Sequence, residues 1–176
     1  MYRQPRSEEH TSELQSHEIS DDAQIRKDLR SLIDKIGTIS AVAADPEAES
    51  VYRTYYDYTE PLEKIAHHRV LALDRGEKEG FLKVAISLPE HMGESFVVRH
   101  YLKGDSPSSA YVRQAAEDSC KRLLFPSVER EIRNDLTANA AEQAIQVFAS
   151  NLRQLLMQPP VKNTVTLGLD PGFRTG

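Results

Sequence analysis

The residue best suited to chemistry is Asp170, which closes the β-branched and leucine-rich run 164–169 and is followed by Pro171 and Gly172. A carboxylate at a strand end can hold a divalent metal, and such a metal activates water and steadies a leaving oxygen. Two-metal chemistry needs several carboxylates converging from different strands, because Mg²⁺ prefers near-octahedral oxygen coordination. The residues after Asp170 supply none. Asp-Pro-Gly is also good turn chemistry after a strand, and that is the reading adopted. No catalytic residue, no metal site, no cofactor and no enzymatic activity are expected.

The second chemistry is phosphate contact. Arg69, Arg75 and Lys78 can serve it, with Gly76 and Gly80 permitting close backbone approach. Glu77 and Glu79 are interleaved and dilute the positive field. Arg113, Lys121, Arg122, Arg130 and Arg133 form the most basic stretch, offset by Glu117, Asp118, Glu129 and Glu131. From these two groups Arg69, Arg75, Lys78, Arg130 and Arg133 are the candidates for nucleic-acid contact. The default reading of both groups is a solvated surface held by charge pairs along helices.

The remaining reactive side chains read as structural. His67 and His68 are adjacent, so on a helix they point about 100° apart and cannot bind a metal as an i, i+4 pair does. His91 and His100 lie in other segments. The single cysteine, Cys120, permits no disulfide and no thiolate zinc site, and on a helix without an activating neighbour it is expected to be an inert core thiol. Tyr52, Tyr55, Tyr56 and Tyr58 can stack on bases, but packing is the preferred reading.

The elements that must position these residues are mostly helical. Ser20-Asp21-Asp22 suits a helix start, Ile25, Leu29, Leu32 and Ile36 recur on one face, and Gly37 is placed to end it. Asp45-Pro46 opens a second short helix carrying Val51, Tyr52 and Tyr55. Thr59 caps a third, through about Ala66, and residues 67–75 form another stopped by Gly76. Residues 81–88 read as a short strand, and Pro89 opens a helix through about Tyr101. After a loop over 103–109, Val112, Ala116, Ser119 and Leu123 mark a helix interrupted at Pro126. From Ser127 to about Met157 the pattern is one long helix. Ala141, Ile145, Phe148, Leu152 and Leu155 form its heptad-like stripe, and Pro159-Pro160 stops it.

Composition narrows the function classes. Apolar residues make up 39% of the 176, below the roughly 45–50% of ordinary globular domains. Twenty-seven acidic residues against 22 Lys and Arg give a net charge of -5, so the chain lacks the global positive footprint of a nucleic-acid-binding domain. No run approaches the 18 or so apolar residues of a membrane span, and Met1-Tyr-Arg-Gln-Pro has no apolar core behind its charges. A cytoplasmic address follows by default. Between Arg6 and His17 the only apolar residue is Leu14, so this stretch cannot bury a face. It resembles the in-frame translation of a sequencing-adapter oligonucleotide. On that reading native sequence begins near Glu18, and His10 and His17 carry no function.

Three segments carry a family resemblance: Tyr55-Tyr56-Asp57-Tyr58-Thr59-Glu60-Pro61 running on through His68 to Gly80, then Leu123 to Arg133, then Leu152 to Pro160 followed by Leu167 to Gly176. In that order and spacing the chain resembles the Tex family of bacterial transcription accessory proteins over roughly residues 20–176. The resemblance implies a cytoplasmic, multidomain protein that binds RNA or DNA through parts absent from this sequence, with the transcription machinery as a partner and no membrane. It also implies an RNase H-like domain of the YqgF type beginning near residue 161, with Asp170 as the vestige of its metal-binding position.

The expected fold is therefore mainly α, with a short β element near 81–88 and one orphan strand near 164–169. Residues 1–17 are expected to be a non-native or disordered tail, 18–160 a helical Tex-type region, and 161–176 the first strand of the next domain. The expected function is a non-catalytic helical scaffold within a nucleic-acid-binding protein. The alternatives are a truncated RNase H-like, resolvase-type nuclease and a helix-mediated protein-interaction module.

Overall fold

The computed structural model describes residues 18–19, 21–102, 109–159 and 162–169. The chain divides into two compact units, Met1–Ala144 and Ile145–Gly176. The fold is mainly α with one small antiparallel sheet.

In the first unit, helix α1 (Ala23–Ile36) starts where Asp22 accepts hydrogen bonds from the Gln24 N–H at 2.9 Å and the Ile25 N–H at 3.4 Å, satisfying two of the donors a helix start leaves free. Its buried face is Ile25, Leu29 and Ile33. The expected face of Leu32 and Ile36 is one position off: Leu32 is partly buried and Ile36 exposed. The Gly37 N–H bonds to the Ile33 carbonyl and the chain turns into strand β1 (Thr38–Ala43). β1 is the centre of the sheet, whose order is β2-β1-β3.

Strand β2 (Asp57–Pro61) corrects the helix expected from Thr59. Ser40 pairs with Thr59 and Thr38 with Pro61, and only the single turn Leu62–Lys64 is helical. Pro61 is tolerated because β2 is an edge strand and Pro61 is its last residue. The helix expected from Asp45 is likewise absent. Asp45 Oδ1 accepts from the Glu47 N–H and its carbonyl from the Ala48 N–H, which makes a turn, and Val51 stands 86% exposed. Short polar side chains offer the backbone such local partners in competition with helix.

Helix α2 (His67–Lys78) runs past Gly76 instead of stopping there. A Cβ on Gly76 would lie 2.6 Å from Leu82 Cδ1, so the glycine permits close packing of α2 against strand β3 (Leu82–Ser87). The stop is Gly80, at φ +82, where the Gly80 N–H bonds to the Glu77 carbonyl and the Phe81 N–H to the Gly76 carbonyl. β3 alternates buried Leu82, Val84 and Ile86 with exposed residues, as the expected strand near 81–88 requires.

Helix α3 (Met92–Tyr101) follows His91, which takes a left-handed conformation at φ 58. Helix α4 (Ser109–Ser119) leads through a wide π turn (Cys120–Leu124) directly into helix α5 (Phe125–Leu156). Pro126 therefore does not interrupt the helix. It lacks an N–H and its ring crowds the carbonyl four residues back, and the wide turn, in which the Phe125 N–H bonds to the Cys120 carbonyl, makes room for it. The extra residue shifts the buried face from the expected Leu123 to Leu124, and onward to Val128 and Ile132.

The second unit comprises the Ile145–Leu156 portion of α5 and an irregular segment. The orphan strand expected near 164–169 is not formed. Among the described residues, 164–169 have no strand partner, and Val165, Leu167 and Leu169 are fully exposed or nearly so. A strand without a neighbour has nothing to hold its hydrogen bonds. Residues 1–17, most of the 103–109 loop, and Asp170 lie outside the described residues.

Leu29 is fully buried at the centre of the α1 face, whereas Val51 is not. Urea unfolding should show Leu29→Ala losing about 2–5 kcal/mol, with Val51→Ala within about 0.5 kcal/mol of the parent chain.

Candidate nucleic-acid interface

The five cations singled out above sit on two helices, Arg69, Arg75 and Lys78 on α2 and Arg130 and Arg133 on α5. They are not equivalent. Arg69 is committed to the sheet edge. Its Nη1 donates to both Glu60 carboxylate oxygens at 2.9 Å and to the Tyr58 hydroxyl at 3.3 Å, while Tyr58 donates to the same carboxylate. The Tyr58 hydrogen bond, and then Arg69, hold the Glu60 carboxyl below the usual glutamate range.

Arg133 is committed more deeply. Nη2 reaches Asp74 Oδ1 at 3.3 Å and pairs with Glu77, and Nη1 donates to Glu77 Oε1 at 3.2 Å and to the Val84 carbonyl at 3.3 Å. Thr137, one turn along α5, donates to the other oxygen of Asp74. One guanidinium thereby joins α2, β3 and α5. Its planar fork of donors suits this task, which a lysine ammonium with three donors at one point does not. The Arg133 hydrogen bond pulls the Glu77 carboxyl below its ordinary range against the opposing effect of burial.

Arg75, Lys78 and Arg130 are exposed, and among the described residues none makes an ion pair within 4.0 Å. Arg130 and Arg133 share an open cleft of about 620 Å³ with Asp74, Glu77 and Glu129. Three carboxylates against two guanidinium groups make that cleft a poor place for a phosphate, since like charges there oppose its entry. The structure thus leaves Arg75, Lys78 and Arg130 as cations available to a ligand and spends Arg69 and Arg133 internally.

Sequence reasoning missed Asp74 and Thr137, and gave Glu129 only as an acid offsetting the basic stretch. They lie far along the chain from what they touch, so no local spacing reveals them. Glu129 Oε1 accepts from the Ile86 N–H at 2.7 Å, 43 residues away. The charge pairs expected along single helices occur in part: Arg122 bonds Asp118 with both Nε and Nη2, at 2.7 and 2.6 Å. The acids further along α5 pair instead with α1, Glu131 with Arg26 and Asp135 with Arg30.

Other candidate chemistry resolves into packing. Tyr52 sits against Phe81 with ring centroids 5.9 Å apart, Tyr55 meets Tyr58 edge-on at 5.3 Å, and the Tyr56 hydroxyl donates to the Ala48 carbonyl. Cys120 is buried, and burial pushes its thiol up to about 11. Among the described residues no group of three or more His, Cys, Asp or Glu side chains is placed to hold a metal ion. No described helix is long and apolar enough to cross a membrane.

Comparison with known proteins gives a consistent set of likenesses. The family described as "Tex central region-like" matches residues 12–148. The chain is 47% identical over 165 residues to "Uncharacterized protein YdcI" of Bacillus subtilis, covering 92% of this chain and 23% of that protein. It is 33% identical over 133 residues to "Transcriptional accessory protein Tex" of Neisseria gonorrhoeae, covering 71% and 17%. It is 27% identical over 150 residues to human "S1 RNA-binding domain-containing protein 1", covering 80% and 15%. The chain thus spans a quarter or less of the length of these relatives.

Replacing Arg133 leaves two carboxylates and a strand carbonyl short of their partner, so Arg133→Met should cost about 1–3 kcal/mol at neutral pH. The pH dependence has a definite sign. Glu77 titrates lower in the folded chain than in the unfolded one, so its contribution is present above the ordinary glutamate range and is lost as pH falls through the depressed folded value. Urea unfolding of both chains at neutral pH and at successively lower pH should show the gap between them shrinking in acid. A gap that grows in acid would contradict this assignment.

Proposed function

The chain belongs to the Tex family, and from that premise we propose that it is a helical scaffold segment of a nucleic-acid-binding transcription accessory protein, with no catalytic step of its own. The observation that carries this reading is the internal use of its cations. Arg69 and Arg133, two of the five best placed for phosphate, are tied to Glu60, Glu77 and Asp74 within the fold. A net charge of -5 further opposes the counterion release that drives nucleic-acid affinity. RNA or DNA contact is assigned to parts of the longer protein beyond this chain. That assignment is supported by the names of relatives, one a transcriptional accessory protein and one an S1 RNA-binding domain-containing protein.

A second reading, helix-mediated docking of a protein partner, is favoured by the exposure of Ile145, Phe148 and Leu155 on α5, each more than 60% accessible. Exposed apolar patches of this kind mark interaction sites.

Fluorescence anisotropy with labelled single-stranded RNA and duplex DNA, titrated across salt concentration, tests the first reading. The expected result is binding no tighter than the non-specific range of about 10⁻⁴–10⁻⁶ M. The triple change Arg75→Ala, Lys78→Ala and Arg130→Ala should weaken it further and flatten its salt dependence. Sequence-selective or markedly tighter binding by the parent chain would overturn the scaffold assignment.

A further inference from the structure

An edge strand presents unpaired N–H and C=O groups that template pairing with any extended chain. In the order β2-β1-β3 the edges are β2 and β3. β3 pairs with β1 through Lys83, Ala85 and Ser87 opposite Val42, Ser40 and Thr38, and the Ala44 N–H bonds to the Phe81 carbonyl. The backbone groups of the odd-numbered residues therefore face β1, and those of Val84 and Ile86 face away from the sheet.

Those outward groups are occupied by side chains. The Val84 N–H donates to Glu77 Oε1 at 3.3 Å, the Ile86 N–H donates to Glu129 Oε1 at 2.7 Å, and the Val84 carbonyl accepts from Arg133 at 3.3 Å. Two donors and one acceptor of the edge thus meet acceptors and a donor delivered from α2 and α5. We infer that Glu77, Glu129 and Arg133 form an edge guard that occupies the hydrogen-bonding positions of a missing fourth strand and keeps a second copy of this chain from pairing at β3.

Side chains fixed by the fold can perform this task where water does not. The adjoining cleft is open at Val84, so water alone can satisfy the Val84 groups. Water does not exclude a strand, because it is easily displaced. Side-chain acceptor oxygens held where the carbonyl oxygens of an incoming strand must lie take the place of those oxygens. To enter, the strand must also part Glu77 from Arg133. The opposite edge is protected by other means, since β2 has only five residues and ends in Pro61.

The test is the double variant Glu77→Ala and Glu129→Ala, which frees both outward N–H groups, set against Glu77→Gln and Glu129→Gln, which keeps an acceptor at each. Sedimentation velocity over a range of concentrations should show the alanine variant at about twice the weight-average mass of the parent chain. Hydrogen exchange should show Val84 and Ile86 more slowly exchanging as concentration rises, with the glutamine variant like the parent. A folded alanine variant with the parent's mass at every concentration would overturn the guard. If that variant does not fold, the parent chain decides. Val84 and Ile86 amides exchanging as slowly as the β1-paired Lys83 and Ala85 support the guard, and exchange at the rate of an open edge overturns it.

Discussion

The guanidinium of Arg133 sits where two helices and a sheet edge meet, with Asp74 and Glu77 of α2 on one side and the Val84 carbonyl of β3 on another. Taking one half-buried charge out of water is costly, and that cost is offset only when its donors all find acceptors in good geometry. Here three elements distant in sequence supply them at once. Gly76 lets α2 approach β3 closely enough for the contact to form, and Thr137 fixes the second oxygen of Asp74. The same cluster orders the cleft, closes the β3 edge and sets the titration of Glu77.

That arrangement limits what the surface can do. A cation satisfied by two carboxylates offers little field to a phosphate, whatever its exposure. Arg69 is tied down in the same way by Glu60 and Tyr58 on the other edge strand. The positive charges left over, Arg75, Lys78 and Arg130, stand among Glu77, Glu79 and Glu129 in the chain. That balance is the ground on which the scaffold role is proposed.

The passage from α4 into α5 shows a similar economy of means. Pro126 does not fit an unbroken α-helix, yet the chain continues as helix by widening one turn. The buried residues then resume at helical spacing, displaced by one position. A sequence pattern that changes phase at a proline can thus mark a bulge as well as a break.

Periodicity and punctuation, read from the residues alone, located most of the long helices, because these depend on contacts three and four residues apart, but they also suggested helices at Asp45 and Thr59 that do not form. The Asp22 start, the 81–88 strand, a long helix expected from Ser127 and observed from Phe125, and the mainly α class were all legible, and so was the family. The sheet was mostly hidden. β1 and β2 are short, their partners lie about 20 residues apart, and Thr59-Glu60-Pro61 reads locally as a helix start. Residues 164–169 show the converse, since strong strand formers make no strand without a neighbour to pair with. The five candidate cations were likewise identifiable by type, but only tertiary structure separated those already neutralised from those free to act. Ion pairing between elements and strand pairing are settled by side chains and backbones that meet across as few as 9 and as many as 105 residues, and local sequence carries no record of that meeting.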